Sequence, residues 1–375
     1  MKVIILPLTL CLLVLLSGCW DQRLFKDAKL VLGASFDLTD NGKLLTTVSI
    51  PNISKTSQGP GRETVQIISA VANTPRESRE KINHKISKNF DASKMRVLLL
   101  GKKLAKQKVY PLLDVFYRDP TSALNAKLAV VNGKSKNALN LTLSGETKVS
   151  TYLSDLLDSA RKTTLVGENE NIQGICGKML DPGSDIVLPL LEVKEQQGLI
   201  KVAGLALFNG DKYTGYHLTP KESTLFLLLS GQKGDLARIT AKVFKNRKPD
   251  IYNYITIEAK HINPDIQVNV NAQGEISAAL HLNLKVRTIE YPKDKLNTEK
   301  EIRVLDQKLS KVLTKLANDV AEKLQKANAD PLGIGRQIIA FHHDLWDKID
   351  WSKEYPNIQM NAEVNVEILQ HGIIN

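Results

Sequence analysis

Cys19 is the residue whose setting most directly promises chemistry. It closes the run MKVIILPLTLCLLVLLSGC, in which Lys2 supplies a positive start, Val3 to Leu16 are almost wholly apolar, and Ser17 and Gly18 are small. A membrane-spanning helix needs about 20 apolar residues, so this segment is too short to anchor the chain by itself and reads as a secretory signal peptide. The other reactive types are sparse. There are 3 cysteines in all. Cys11 lies inside the signal segment, which leaves Cys176 as the lone thiol of the body and permits no internal disulfide. Cys176, within Gly174-Ile175-Cys176-Gly177, is expected on a loop or strand edge as an inert thiol. His342-His343-Asp344 is the densest set of metal-ligating types, but adjacent helical residues point about 100° apart and share a metal poorly. Gly333-Ile334-Gly335 has no strand before it and no third glycine, so it is not a dinucleotide loop. No H-E-x-x-H, C-x-x-C, G-x-S-x-G or Walker loop occurs. The sequence therefore offers no catalytic, cofactor-binding or metal-binding residue.

The ending Leu16-Ser17-Gly18-Cys19 resembles the bacterial lipobox. The resemblance implies a diacylglyceryl group on the Cys19 sulfur and cleavage of the chain before Cys19. The residue types suit that chemistry. A thiol readily forms a thioether with a lipid donor, and small residues let a peptidase reach an extended backbone. Two acyl chains hold firmly where one holds marginally, since burial contributes about 0.8 kcal/mol per CH₂.

Composition bounds the rest. The 375 residues carry a net charge of +11, and loss of Lys2 with the leader lowers it to +10. Hydrophobic residues make up 42% and charged residues 24%, which excludes a disordered or fibrous chain. Aromatics are only 5%, which disfavours a sugar-stacking cleft. The basic clusters Lys102, Lys103, Lys106, Lys108 and Lys242, Lys245, Arg247, Lys248 lack interleaved aromatics, so nucleic acid is not an expected partner. Anionic lipid headgroups suit such clusters better, and an ordinary solvated face accounts for them equally well.

The elements that would hold a binding surface read as follows. A tether at 19–27 leads into strands at Leu30–Leu38, Lys43–Pro51 and Glu63–Val71, with an Asn41-Gly42 hairpin turn and a loop over Ser54–Arg62. Capping boxes at Thr74–Glu77, Thr219–Glu222 and Thr298–Glu301 open three helices. Met95–Leu100 and Asn125–Val131 are strands, with a helix over Leu104–Tyr117 between them and a further helix over Thr151–Ala160. Residues 161–185 read as a Gly- and Pro-containing linker. Strands follow at Ile186–Val193 and Leu199–Phe208, and extended segments at Leu236–Phe244, Ile251–Val270 and Glu275–Tyr291. The longest helix runs from Thr298 to about Ala327, with the stripe Ile302, Leu305, Leu309, Val312, Leu316, Val320 and Leu324 packed on its own sheet. A last strand spans Met360–Ile374. Strands in runs with helices between them predict an α+β, multi-domain chain with mixed and antiparallel sheets and one long C-terminal amphipathic helix. The expected divisions are 1–18, 19–27, 28–185 and 186–375, the last divisible into two subdomains.

Several motifs together resemble one family. Gly18-Cys19-Trp20-Asp21, Tyr117-Arg118-Asp119-Pro120, Gly204-Leu205-Ala206-Leu207-Phe208 followed by Gly210-Asp211-Lys212, and Asp330-Pro331-Leu332-Gly333-Ile334-Gly335 with Trp346 and Trp351 beyond it are similar to the Ger(x)C spore germination lipoproteins. One departure is Ile334, where the family often has Phe. The resemblance implies a non-enzymatic C subunit of a nutrient germinant receptor. It would be lipid-anchored through Cys19 to the outer face of the cell membrane that becomes the spore inner membrane. Its partners would be two integral-membrane subunits, of the A and B types. The alternative reading is a solute-binding lipoprotein of a transporter.

Overall fold

A computed structural model describes residues 25–56, 59–143, 148–168, 170–293, 296 and 298–370. Cys11, Cys19 and the tether up to residue 24 lie outside the described residues, as does the end of the expected last strand.

Two sheets organise the chain. The larger has eight strands: β2 (Gly33–Leu38), β3 (Leu44–Thr56), β4 (Gly59–Ala72), β6 (Val97–Gly101), β7 (Lys127–Val131), β8 (Val187–Lys194), β9 (Leu199–Asn209) and β10 (Lys212–Leu218). Their order is β10-β9-β8-β7-β6-β2-β3-β4. The central pairs β2/β6, β6/β7 and β7/β8 are parallel, and the flanking pairs are antiparallel. A parallel centre has to be covered on both faces, and the sequence shows it. Val97, Leu98, Leu99 and Leu100 are all fully buried. Leu98 and Leu100 face one apolar cluster with α1 (Pro75–Asn83) and α3 (Tyr110–Arg118), while Val97 and Leu99 face another with α5 (Val149–Lys162). Short helices α2 (Lys102–Ala105), α4 (Lys136–Asn140) and α6 (Ile172–Met179) complete the crossovers. A short parallel pair, β1 (Ala28–Leu30) with β5 (Asn89–Asp91), lies before the large sheet.

The smaller sheet has the order β11-β12-β13-β14, with β11 (Arg238–Lys242), β12 (Tyr254–Val270), β13 (Ile276–Glu290) and β14 (Gln359–Gln370). β13 and β14 are parallel and are joined through α8 (Glu299–Lys326), α9 (Ile334–Phe341), α10 (His343–Trp346) and α11 (Trp351–Glu354). One face of this sheet packs on α8. The other alternates outward, with Asn263, Asn283 and Asn365 in one cross-strand row. Between the sheets, α7 (Pro220–Leu229) is buried on all sides: Leu225, Leu228 and Leu229 join the small-sheet core, while Phe226 and Leu227 join a cluster with Leu205, Leu207, Val320 and Leu324.

The α+β class, the mixed sheets and the long C-terminal helix match the sequence reading. Four details differ. The expected loop at Ser54–Arg62 is instead the far end of the β3–β4 hairpin, with Ser54 opposite Arg62, because an edge strand tolerates Pro60 without losing a needed ladder bond. The expected linker at 161–185 contains α6, started by Asn171, whose side chain accepts from the Gly174 N–H at 2.7 Å. Cys176 is consequently helical and not on a loop or strand edge. Of the expected stripe of α8, Leu305, Leu309, Val320 and Leu324 are buried, together with Leu313, Ala317 and Ala321, while Ile302, Val312 and Leu316 lie on the flanks.

α8 also closes the free edge of β14. Asp306, Ser310, Thr314 and Asn318 accept from the backbone N–H groups of Ile368, Val366, Val364 and Ala362 at 3.0, 2.9, 2.9 and 3.0 Å. Thr314 and Asn318 also donate to the Val364 and Ala362 carbonyls. Four helical residues rise about 6 Å and two strand residues about 6.6 Å, so the two periods stay in step over this length.

Candidate functional site

The lipidation candidate, Cys19, precedes the first described residue, Phe25, by six positions. The remaining family motifs can be located, and the fold links them. Asp185 is their meeting point. Its Oδ1 accepts from the Gly210 N–H at 2.5 Å, and its Oδ2 accepts from the Asp330 N–H at 2.7 Å. Its own N–H donates to the Asp330 carbonyl at 2.9 Å. Asp330 in turn accepts from Ile334 N–H at 3.0 Å and Gly335 N–H at 2.8 Å, which starts α9. Burial pushes the Asp330 carboxyl up to about 7 against the pull of those amides, and Asp185 is raised for the same reason. The Asp330-to-Gly335 motif is therefore a structural knot, not a ligand loop.

The neighbouring motifs serve packing too. Gly204 has φ +130°, and a Cβ there would meet the Leu218 carbonyl oxygen at 1.8 Å, so this position excludes a side chain. Asp211 follows the Gly210 turn and accepts from Tyr110 N–H at 3.1 Å, fixing the start of α3. At the end of α3, Tyr117 donates to the Ile172 carbonyl at 2.9 Å, and burial raises its hydroxyl further above its ordinary value, with Cys176 adding to the effect. Asp119 pairs with Arg79 at 3.0 Å. The Thr121 hydroxyl first, and Arg79 after it, hold the Asp119 carboxyl at about 2. Trp351 stacks between Trp346 at 5.8 Å and Tyr355 at 5.5 Å, and Gly335 fits against its indole N–H.

The sequence-level candidates for chemistry stay apart. His343 faces Asp347 at 3.7 Å on an exposed surface, and His342 joins no ion pair. Cys176 is a free, partly buried thiol. Among the described residues no group of three or more His, Cys, Asp or Glu could hold a metal ion, and no helix is long and apolar enough to cross a membrane.

A second polar site has no counterpart in the sequence reading. A cavity of about 350 Å³ opens beside the start of β7, lined by Lys127, Asp158, Arg161, Glu168 and Glu170 among others. Lys127 reaches Asp158 at 2.5 Å and Ser154 Oγ at 2.9 Å. Glu170 Oε1 accepts from Gly167 N–H at 3.0 Å, while its Oε2 is buried without a hydrogen-bond partner. Burial pushes this carboxyl up to about 8. These residues come from the start of β7, from α5 and from the segment before α6, so no local spacing announces them.

Comparison with known proteins agrees with the motifs. Residues 21–193 match the family described as "Spore germination protein N-terminal domain", and residues 203–372 match "Spore germination B3/ GerAC like, C-terminal". The chain is 26% identical to "Spore germination protein GerQC" of Bacillus cereus, over 98% of each chain. It is 23% identical to "Spore germination protein KC" of Bacillus subtilis (strain 168), over 100% of this chain and 97% of the relative. A solved structure, "Crystal Structure of the GerBC protein", has the same fold with a TM-score of 0.54 at 17% identity, covering 90% of this chain and 97% of that one. The two family matches together span both halves of the molecule, and the chain belongs to the GerAC-like family of spore germination proteins, the germinant-receptor C subunits.

Proposed function

We propose that this chain is a non-enzymatic, lipid-anchored C subunit of a nutrient germinant receptor, held on the outer face of the membrane by a diacylglyceryl thioether at Cys19. The observation that carries the reading is the lipobox-like Leu16-Ser17-Gly18-Cys19 at the end of a short apolar leader, on a chain matched to this family over both halves. The described body begins six residues after Cys19, so the tether keeps it within about 20 Å of the headgroups. Confinement to a surface raises its effective concentration near integral-membrane partners of the A and B types without a large interface.

The solute-binding alternative needs two lobes hinged about a polar cleft. Here α7 is shared between the cores of both sheets, and the Asp185–Asp330 bonds tie the same junction, which favours the first reading. Replacing Cys19 by Ala tests the proposal. The variant is expected to leave the membrane fraction and to slow germination by nutrients while non-nutrient triggers still work. Full membrane retention and normal nutrient germination of that variant would refute it, as would mass spectrometry showing an unmodified Cys19 sulfur.

A further inference from the structure

The cavity beside β7 contains an acid and a base that do not pair with each other. Arg161, in the last turn of α5, makes no side-chain hydrogen bond or ion pair among the described residues, and neither does Glu168. Glu170, across the same cavity, keeps one carboxyl oxygen buried and unpartnered. Lys127 and Asp158 satisfy one another and so set the wall without claiming either group.

We propose that this cavity is a binding site for a small zwitterion, with the ligand's ammonium against Glu170 and its carboxylate against Arg161. Each end of such a ligand meets a group of opposite charge, the exposed Arg161 and the Glu170 carboxyl, and neither is held in an ion pair among the described residues. Its short apolar part meets Leu157, Val166 and Pro189, which also line the cavity. A volume of about 350 Å³ holds a molecule of amino-acid size with room for water. The carboxyl held up to about 8 in the empty site is protonated at pH 7, and a ligand ammonium beside it draws that proton off. Binding therefore releases a proton. The cavity borders the junction of the two halves, where Glu168 N–H donates to Gln232 Oε1 at 3.1 Å and Val166 packs in the cluster of Leu227 and Val320. It is independent of the Cys19 anchor, so the failure of either proposal leaves the other standing.

Titration calorimetry on the purified full chain tests the inference with three zwitterions of different charge separation: glycine, L-norvaline and γ-aminobutyrate. L-norvaline is compared with butylamine and pentanoate, which each keep one of its two charges. At least one zwitterion is expected to bind at pH 7, at least tenfold more tightly than butylamine or pentanoate. Repeating the titration in buffers of different ionisation heat should show close to one proton released. Glu170→Gln and Arg161→Met should each weaken binding at least tenfold, and Glu170→Gln should abolish the proton release. Arg161 lies on the exposed surface of α5, so its variant keeps the test alive if the Glu170 variant does not fold. No binding by any of the three zwitterions would overturn the inference. So would butylamine binding as tightly as L-norvaline, or an affinity unchanged in Arg161→Met.

Discussion

The two sheets protect their outer strands in different ways. In the large sheet, β4 presents its edge to α1, and the exposed Lys81 and Lys85 reach the Val71 and Ser69 carbonyls at 3.0 and 2.8 Å. In the small sheet, β14 presents its edge to α8, and four short side chains satisfy its amides in register. A lysine that caps a carbonyl from solvent gives up rotamer freedom for a bond that water replaces readily. A threonine on a packed helix has little freedom left to lose, and its part-buried bonds meet less competing water. The comparison teaches that an edge can be blunted cheaply by charge, or built into the core by a helix whose period fits the strand.

The comparison can be broken first where the large sheet bends. Gly204→Ala places a Cβ on the Leu218 carbonyl at a backbone angle that only glycine holds without strain, and it should destabilise the fold by about 4 kcal/mol or prevent folding. Denaturant unfolding or the soluble yield will read this. Next come two buried carboxyls, Glu170 beside the large sheet and Asp330 at the junction. Glu170 and Asp330 are both raised, so the folded state binds their protons more tightly than the unfolded state does. Their protonated forms favour folding, and stability falls as pH rises from about 4 towards 7 for Asp330 and towards 8 for Glu170. Glu170→Gln should recover on the order of 3 kcal/mol of the loss between pH 5 and pH 8. Equal pH slopes for wild type and variant would show that Glu170 is not held protonated by the fold.

The edges themselves give smaller effects and sharpen the contrast. Thr314→Val leaves the Val364 N–H and carbonyl facing a methyl group and should lower stability by about 2 kcal/mol. Amide exchange at Val364 should speed up more than at neighbouring strand positions. Lys85→Met, at the other edge, should change stability by less than about 0.5 kcal/mol. If the two substitutions prove equal, the distinction between the edges fails.

What could be read in the sequence was whatever is encoded within a few residues. Thr74, Thr219 and Thr298 each begin a helix as their spacing to Glu77, Glu222 and Glu301 predicts. Glu77 bonds to the Asn73 N–H at 2.8 Å instead of Thr74, a shift that spacing does not reveal. The extended segment expected at Glu275–Tyr291 is the strand Ile276–Glu290, which buries alternate residues. What could not be read depends on distant partners. The row Asp306, Ser310, Thr314 and Asn318 looks in sequence like a solvated face, because its partners lie about fifty residues onward. Asp185 and Asp330 are 145 positions apart. The cavity at Glu170 joins the start of β7 to a helix end and a turn inside the polar stretch 161–185, whose Gly and Pro content reads as a linker.

The parallel pairing of β13 with β14 also has a kinetic side. Every partner of β14 precedes it in the chain, and the helix that lines its outer edge does too. Until residues 359–370 have emerged beside it, β13 lacks its neighbour and the polar row of α8 has nothing to bind. The large sheet, complete by Leu218, is free of that constraint. Assembly should therefore run in a fixed order, with the small sheet closing only after its final strand emerges.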